Sequence, residues 1–193
     1  MAKPFILGIV GYTGVGKSEC FEAFHNKEPG KWVRLDFTDR LKTDLRALTI
    51  GVGADVYDRD DYEKLRSLIA AWGTAARSFD PRYLIDQVMM DIRKMRREER
   101  TENVVITDVR YKAEAEVIVE NGGGVVYLER HGVDPWDDEE GVNIEYIRRM
   151  YPHMPVVKNY GNLDELAAEI YKVMASLRSS IETYRQIYKR SES

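Results

Sequence analysis

Cysteine is nearly missing from this sequence, since Cys20 is the only one among 193 residues. A single cysteine excludes an internal disulfide framework. A long apolar stretch near Met1 is missing as well, so neither a signal peptide nor a membrane span is expected. Together these absences predict a cytoplasmic protein in a reducing compartment. Because Cys20 lies at helical spacing from Phe24, we interpret the thiol as part of the core and not as a nucleophile.

An excess of positive charge is also missing. The chain has 29 Lys and Arg against 33 Asp and Glu, a formal net charge of −4. Proteins that coat nucleic acid neutralise phosphates with clustered cations, so nucleic acid is not an expected partner. We interpret the basic run at residues 93–97 as the C-terminal end of a helix, where cations suit the helix dipole. Without repeats or low-complexity segments, 44% hydrophobic and 32% charged residues predict one globular domain over residues 1–193.

Short apolar runs alternate with helical patterns along most of the chain. The runs that predict strands are residues 5–10, Trp32 to Leu35, Val104 to Thr107, Val125 to Leu128, and Val156 with Val157. This alternation predicts an α/β fold in which a five-stranded parallel sheet has helices on both faces, a three-layer sandwich with right-handed crossovers. Ligands of such sheets bind at the carboxyl ends of the strands.

Residues 38–99 are predicted to be helical throughout. Thr38 or Asp39 would begin the first helix, which Gly51-Val52-Gly53 ends. Asp60 or Asp61 would begin the second, which ends at Gly73, and Asp80-Pro81 would begin the third. The apolar positions at helical spacing are Leu41, Leu45 and Leu48, then Tyr62, Leu65, Ile69 and Trp72, then Leu84, Val88, Ile92 and Met95.

Two further segments follow the fourth predicted strand. Residues 131–153 are polar and contain Pro135 and Gly141, which indicates a loop with a short helix outside the core, a candidate lid. Asn162 and Glu165 have the spacing of a capping box for a long terminal helix. The apolar positions of that helix are Leu166, Ile170, Val173, Leu177 and Ile181. Farther along, Tyr184, Ile187 and Tyr188 would pack on the helix's own core or on a second subunit, which leaves a homodimer open.

The segment Gly11-Tyr12-Thr13-Gly14-Val15-Gly16-Lys17-Ser18 matches the phosphate-binding loop in full. It lies between a predicted strand and a predicted helix, the context that this motif requires. Its backbone N–H groups would surround a β-phosphate, Lys17 would reach the β and γ oxygens, and Ser18 would ligate Mg²⁺. Together with Glu19, these residues predict a site for ATP.

Phosphoryl transfer also needs a metal-holding carboxylate and further cations. Asp108 ends an apolar strand, where it would hold Mg²⁺ beside Ser18 or simply cap a helix. Arg110 follows two residues later and Arg130 ends the next strand, so the predicted catalytic residues are Lys17, Asp108, Arg110 and Arg130. Arg148 and Arg149 on the lid would reach the triphosphate or remain ordinary surface charges.

Several segments in order resemble the deoxynucleoside monophosphate kinases of bacteriophages and bacteria, within the nucleoside monophosphate kinase group. Besides the phosphate loop, Asp36-Phe37-Thr38-Asp39-Arg40-Leu41-Lys42 is similar to the family's Phe-Ala-Asp-x-Leu-Lys segment. The other similar segments are Trp72-Gly73-Thr74-Ala75-Ala76-Arg77, Ile106-Thr107-Asp108-Val109-Arg110-Tyr111-Lys112-Ala113-Glu114-Ala115, Leu128-Glu129-Arg130 and Asn159-Tyr160-Gly161-Asn162-Leu163.

This resemblance implies a kinase that uses ATP and Mg²⁺ to phosphorylate a (deoxy)nucleoside monophosphate, located in the host cytoplasm if a phage encodes it. It implies a core of residues 1–37 and 100–193, an acceptor-binding helical region at 38–99 and a lid at 131–153. The residues implied around the acceptor are Asp36, Phe37, Lys42, Trp72, Gly73, Thr74, Arg77 and Arg110. In the lid the family has a His before a Ser-Glu pair, and here only Glu145 matches.

Two other functions fit the same motifs. One is a kinase of another small metabolite, because the acceptor region is interpreted only through the resemblance. The other is a nucleotide-dependent switch, in which hydrolysis changes the affinity for a partner. The guanine-reading Asn-Lys-x-Asp segment of many switches is missing, since Lys158-Asn159 has the reverse order.

Overall fold

The computed structural model describes residues 5–98 and 102–191, with the backbone alone for 180–191. Five parallel strands form one sheet in the order β2-β3-β1-β4-β5. The strands are β1 (Ile6–Val10), β2 (Trp32–Arg34), β3 (Asn103–Val109), β4 (Gly124–Glu129) and β5 (Val156–Lys158). The prediction of a five-stranded parallel sheet is confirmed. Because β1 lies at the centre, the phosphate loop that follows it has the ends of β3 and β4 on either side.

Seven helices connect and cover these strands. They are α1 (Lys17–Lys27), α2 (Asp39–Gly51), α3 (Arg59–Phe79), α4 (Tyr83–Arg97), α5 (Lys112–Glu120), α6 (Asp138–Met150) and α7 (Leu163–Ser191). Helices α1 and α7 pack together over one face of the sheet, while α4, α5 and α6 contribute to the core on the other face. The expected three layers are therefore present, and α2 with α3 extends the second face.

The central strand is buried on both sides, as its uninterrupted apolar sequence predicts. Gly8 in its middle permits close approach of α5, since a Cβ there would lie 2.6 Å from Cδ1 of Ile118. On the other face, Cys20 packs into the cluster that α1 shares with α7. Burial raises the pKa of the Cys20 thiol, which confirms the interpretation of this cysteine as part of the core.

The helical prediction for residues 38–98 is confirmed in outline and wrong at several boundaries. Helix α3 begins after Asp58, whose side chain accepts hydrogen bonds from the N–H groups of Asp60 and Asp61 at 2.9 and 3.0 Å. It also runs through Gly73, which lets α2 approach closely, because a Cβ would lie 3.0 Å from Cδ1 of Leu41. The packing gained there offsets the roughly 1 kcal/mol that a helical glycine costs relative to alanine.

Three other expectations in this region are corrected by the structure. Helix α4 begins at Tyr83, so Asp80-Pro81 lies in the preceding turn. Leu48 is 70% exposed and Trp72 is 39% exposed, although both continue an apolar stripe. Trp72 nevertheless contacts α2, because its Nε1 donates to Asp44 at 3.4 Å.

The candidate lid differs most from its prediction. Helix α6 spans thirteen residues and is not a short helix outside the core, because Ile144 and Ile147 are fully buried in the main cluster. The prediction was wrong because the acidic first turn made the whole segment look polar, although buried apolar residues follow it in the sequence. At α7, by contrast, the capping box is confirmed, since Asn162 and Glu165 each accept the other's backbone N–H.

Three side chains suggested for subunit contact, Tyr184, Ile187 and Tyr188, lie outside the described residues, as does Ile181. In the part of the chain that the structure describes, no helix is both long and apolar enough to cross a membrane.

Candidate functional site

The phosphate loop connects the end of β1 to the start of α1. Gly14 and Gly16 adopt positive φ angles of 89° and 97°, which glycine adopts without strain. Gly11 is confined, because a Cβ there would lie 2.7 Å from the carbonyl oxygen of Leu128. Val15 is buried and anchors the loop to the core. The loop geometry thus favours glycine at both motif positions, Gly11 and Gly16, and also at Gly14 between them.

Lys17, the first residue of α1, folds back over this loop. Its Nζ donates to the carbonyl oxygens of Gly11 and Tyr12 at 2.6 and 2.7 Å. Burial and the nearby Arg110 guanidinium lower the pKa of Lys17 to about 8. The next two residues, Ser18 and Glu19, are exposed on the first turn of α1. An incoming anion would compete for the ammonium with two loop carbonyls.

Asp108 and Asp36 form an acidic pair where β3 and β2 end. The two oxygens of Asp108 accept the N–H groups of Phe37 and Thr38 at 2.9 and 2.8 Å, so this carboxylate caps the turn into α2. Burial and the Asp36 carboxylate raise the pKa of Asp108. Asp36 accepts both the N–H and the hydroxyl of Thr107. Its other oxygen pairs with Arg34.

A metal ion would find few protein ligands here. Across residues 5–98 and 102–191, no three His, Cys, Asp or Glu side chains are grouped to hold one. Mg²⁺ in nucleotide sites is usually held by one or two protein groups together with phosphate oxygens and water. Asp108 lines the cavity and each of its oxygens retains acceptor capacity beyond the backbone bonds. Asp108 therefore suits one ligand position of such an ion, while Ser18 as the other ligand stays a prediction.

A cavity of about 370 Å³ opens beside the phosphate loop, between α3 and the first turns of α6. Six residues predicted for catalysis or the acceptor line it: Phe37, Gly73, Thr74, Arg77, Asp108 and Arg110. Asp36, Lys42 and Trp72, also predicted for the acceptor, lie outside its lining. Lys42 lies over the Tyr62 ring at 5.1 Å, and Trp72 donates to Asp44 at 3.4 Å. Both of these side chains are engaged around α2.

Three arginines line this cavity, and one of them, Arg66, is paired with Glu63 at 3.4 Å and lies over the Trp136 ring. Arg77 stacks on the ring of Tyr111, 4.2 Å from its centroid. Arg110 donates through Nη2 to Oγ1 of Thr13 at 3.3 Å. The buried Nε of Arg110 has no hydrogen-bond partner in the described structure. Because a buried donor without a partner is costly, the site favours an anion that would accept from it.

Glu114 in α5 was not predicted as a site residue. It is 4% exposed, and its Oε2 accepts the N–H groups of Arg110 and Tyr111 at 2.7 and 3.0 Å. Burial and the Asp108 carboxylate raise its pKa to about 8. Two sequence signals point to it: Glu114 stands three residues beyond Tyr111, the spacing of a capping box, and it lies in the segment from Ile106 to Ala115 that resembles the kinase family. The carboxyl group holds the backbone that presents Arg110.

Glu140, the second residue that sequence reasoning missed, lies in the first turn of α6. Its Oε1 accepts from the N–H and the hydroxyl of Thr13 at 3.0 and 2.7 Å. The same oxygen is 3.5 Å from Nη1 of Arg110. The sequence offered no signal, because Glu140 stands in an acidic run that reads as a solvated surface.

The other lid residues have mixed positions. Glu145 accepts from the hydroxyl of Tyr12 at 3.3 Å and from Nη1 of Arg148 at 2.7 Å. Arg148 also covers the Tyr127 ring at 4.5 Å, so α6 is tied to the phosphate loop. Arg149 is exposed, and so is Arg130 directly after β4.

Known structures share this architecture. A gluconokinase from Sinorhizobium meliloti 1021 matches 95% of this chain with 99% of its own, at 16% identity and a TM-score of 0.52. A dephospho-CoA kinase from Campylobacter jejuni matches 91% of this chain with 98% of its own, at 8% identity and the same TM-score of 0.52. The chain has the fold of the P-loop kinases.

The cavity lies where β2 and β3 end, since Phe37, Thr38, Asp108 and Arg110 line it. No protein-family model matches the chain, and no curated protein sequence matches it. At identities this low, the likeness concerns the fold, and the acceptor has to be inferred from the cavity.

Proposed function

We propose that the protein is an ATP-dependent kinase that transfers the γ-phosphate to a (deoxy)nucleoside monophosphate and releases the two diphosphates. One observation carries this proposal: Arg77 and Arg110 line one cavity, and Arg110 also contacts Thr13 of the phosphate loop. A cavity of about 370 Å³ lies within the range of small-molecule sites. Two guanidiniums suit an acceptor that brings its own phosphate, because arginine pairs with phosphate bidentately.

Each group around the cavity has a role in this reaction. The loop N–H groups and Lys17 would hold the β- and γ-phosphates, and Ser18 with Asp108 would hold Mg²⁺, which neutralises phosphate charge. Arg77 and Arg110 would hold the acceptor phosphate. One of its oxygens attacks the γ-phosphorus, and the bond from that phosphorus to the bridging oxygen of ADP breaks. Glu145 of α6 accepts from Tyr12 of the loop and pairs with Arg148, which ties α6 to the loop.

A kinase of a different small metabolite is the second candidate. The two structures described above are a gluconokinase and a dephospho-CoA kinase, and one fold accommodates varied functions. A switch without a small acceptor would have no use for Arg77 and Arg110 in the lining of this cavity.

Steady-state kinetics with ATP, Mg²⁺ and a panel of nucleoside and deoxynucleoside monophosphates tests the proposal. Arg77→Ala and Arg110→Ala should each raise the acceptor KM or lower kcat, for a loss of about 2 to 4 kcal/mol in kcat/KM. ATP affinity should change little. Lysine at either position should also be poorly tolerated, because it cannot form a bidentate contact.

Arg93→Ala is the matched control, since Arg93 is exposed on α4. It should leave both kinetic constants unchanged. Equal losses toward ATP and the acceptor would contradict the proposed arginine clamp. If no monophosphate stimulates ADP release by the wild-type protein, but another small metabolite does, the second candidate replaces the first.

A further inference from the structure

Glu140 joins three parts of the molecule that are distant in the sequence. Its carboxylate is only 5% exposed, although glutamate is rarely buried without partners. Oε1 lies on Thr13 in the phosphate loop, and Oε2 accepts the N–H of Trp136 at 2.7 Å in the segment before α6. Burial alone would raise the pKa of Glu140, but the hydrogen bonds from Trp136 and Thr13 outweigh it and lower the pKa. The group is therefore a fixed negative charge.

This charge lies next to the arginine that we assign to the acceptor phosphate. Oε1 of Glu140, Oγ1 of Thr13 and the two terminal nitrogens of Arg110 form one connected group, with Nη1 at 3.5 Å and Nη2 at 3.3 Å. A free arginine side chain samples many rotamers, and ordering it costs conformational entropy. Contacts at both terminal nitrogens restrict that freedom before any substrate binds. They leave the buried Nε without a partner.

We propose that Glu140 is a positioning residue that holds Arg110 against Thr13, so that the acceptor phosphate is presented to the donor phosphate in line. This role rests on the proposed kinase function. Since Glu140 belongs to the first turn of α6, the arginine reaches its position only when that helix is seated on the phosphate loop. The acceptor site is therefore complete only while α6 is packed against the phosphate loop.

Glu140→Gln tests the role because its one amide oxygen can still accept from the Thr13 N–H, while the negative charge that faces Arg110 is removed and the NH2 group replaces the oxygen that accepts from Trp136. The acceptor-dependent kcat should fall about 10- to 100-fold, as expected for a misplaced reacting group, while the dissociation constant of ATP stays within about threefold. Asp138→Asn is the matched control, because it removes one exposed carboxylate from the same turn of α6. It should leave kcat unchanged.

A double-mutant cycle separates positioning of Arg110 from a general structural role. If Glu140 acts through Arg110, then Glu140→Gln combined with Arg110→Ala should be no slower than Arg110→Ala alone. Multiplicative losses would overturn the proposal, and so would a Glu140→Gln variant with the kcat of the Asp138→Asn control. A gain in ATP affinity in Glu140→Gln would also overturn it, because the carboxylate would then be competing with the nucleotide.

Thermal unfolding of each variant shows whether it is folded. Should Glu140→Gln fail to fold, Glu140→Asp replaces it, since the shorter side chain keeps the charge but cannot span Thr13 and Trp136 together. Its kcat should also fall, and an unchanged value would overturn the role. A wild-type protein without acceptor-dependent ADP release refutes the kinase function itself, whereas an active wild type with an unaffected Glu140→Gln refutes only the role of Glu140.

Discussion

Lys17 should take up a proton when a triphosphate binds at a pH near or above the pKa of the free amine. Its pKa of about 8 in the free site results from burial and from Arg110. Phosphate oxygens beside the amine would favour the charged form and raise that pKa. The free protein is therefore ready to bind below about pH 8 and must gain a proton above it.

We expect ATP affinity to decrease between pH 7 and pH 9, approaching about tenfold per pH unit above the free pKa. Isothermal titration calorimetry in buffers of different ionisation enthalpy would measure the proton uptake. Lys17→Met should lose both this pH dependence and phosphoryl transfer while it stays folded. An affinity in the wild type that is constant over this range would show that Lys17 remains charged throughout.

Because of Glu114, the free energy of unfolding should decrease as the pH rises. Its pKa is raised from about 4.5 to about 8, first by burial and then by Asp108, so the folded state binds a proton that the unfolded state has released. Stability is therefore highest below the unfolded pKa and falls as the pH increases toward 8. The hydrogen bonds from Arg110 and Tyr111 need only an acceptor oxygen, which a glutamine also provides.

Glu114→Gln should therefore be more stable than the wild type at pH 8.5 by roughly 1 kcal/mol or more, with a smaller difference at pH 5. Urea unfolding at both pH values measures this. Glu116→Gln is the control, because Glu116 pairs with Lys112 on the exposed side of the same helix. A Glu114→Gln variant that is destabilised at both pH values would show that the ionised carboxylate is the stabilising form.

At the scale of elements, α6 combines a polar end that belongs to the site with an apolar face that belongs to the core. Its first turn places Glu140 on the phosphate loop, and one turn later Ile144 is fully buried in the core cluster. A helix seated in this way cannot open without exposing large apolar side chains. Its seating should therefore contribute to global stability.

Ile144→Ala should destabilise the protein by about 2 to 5 kcal/mol, because it leaves a cavity in a packed core. Val142→Ala on the same helix should change stability by less than about 0.5 kcal/mol, since Val142 is 69% exposed. The free energy of unfolding from urea titration distinguishes the two. Equal, small effects would mean that α6 is a surface lid, as the sequence alone suggested.

At the scale of the whole molecule, the strand order brings the end of β5 to the phosphate loop. Asn159 follows β5 and is buried, and its Nδ2 donates to the carbonyl oxygen of Val15 at 2.8 Å across 144 residues of sequence. A Cβ on Gly16 would collide with the same amide. Asn159 therefore stabilises the conformation of the phosphate loop, although it is distant from the loop in the sequence.

Asn159→Ala should weaken ATP binding about 3- to 30-fold and destabilise the fold by about 1 to 3 kcal/mol, because the buried carbonyl of Val15 loses its donor. Lys158→Ala is the neighbouring control, since that side chain is exposed. Equilibrium dialysis with ATP and thermal unfolding measure the two effects. Unchanged ATP affinity in Asn159→Ala would show that the loop glycines alone hold its conformation.

The sequence by itself determined the sheet and the nucleotide end of the site. A central strand that is buried on both faces has to be apolar throughout. A loop with two positive φ angles favours glycine at those positions. Both features can therefore be predicted from residues 5–18. The same holds for the strand that delivers Asp108 and Arg110 to the cavity. These are local requirements, and local patterns express them.

Only the tertiary structure determined where one helix ends and which distant side chains meet. Gly73 was expected to end a helix, yet it continues one because Leu41 packs against it. Trp72 and Lys42 were expected at the acceptor, and in the structure Trp72 contacts Asp44 and Lys42 contacts Tyr62. These contacts depend on how α2 and α3 pack together, which local patterns do not specify. Glu140 and Thr13 are 127 residues apart, and only the folding of α6 onto the loop after β1 turns an acidic run into a buried contact with the phosphate loop.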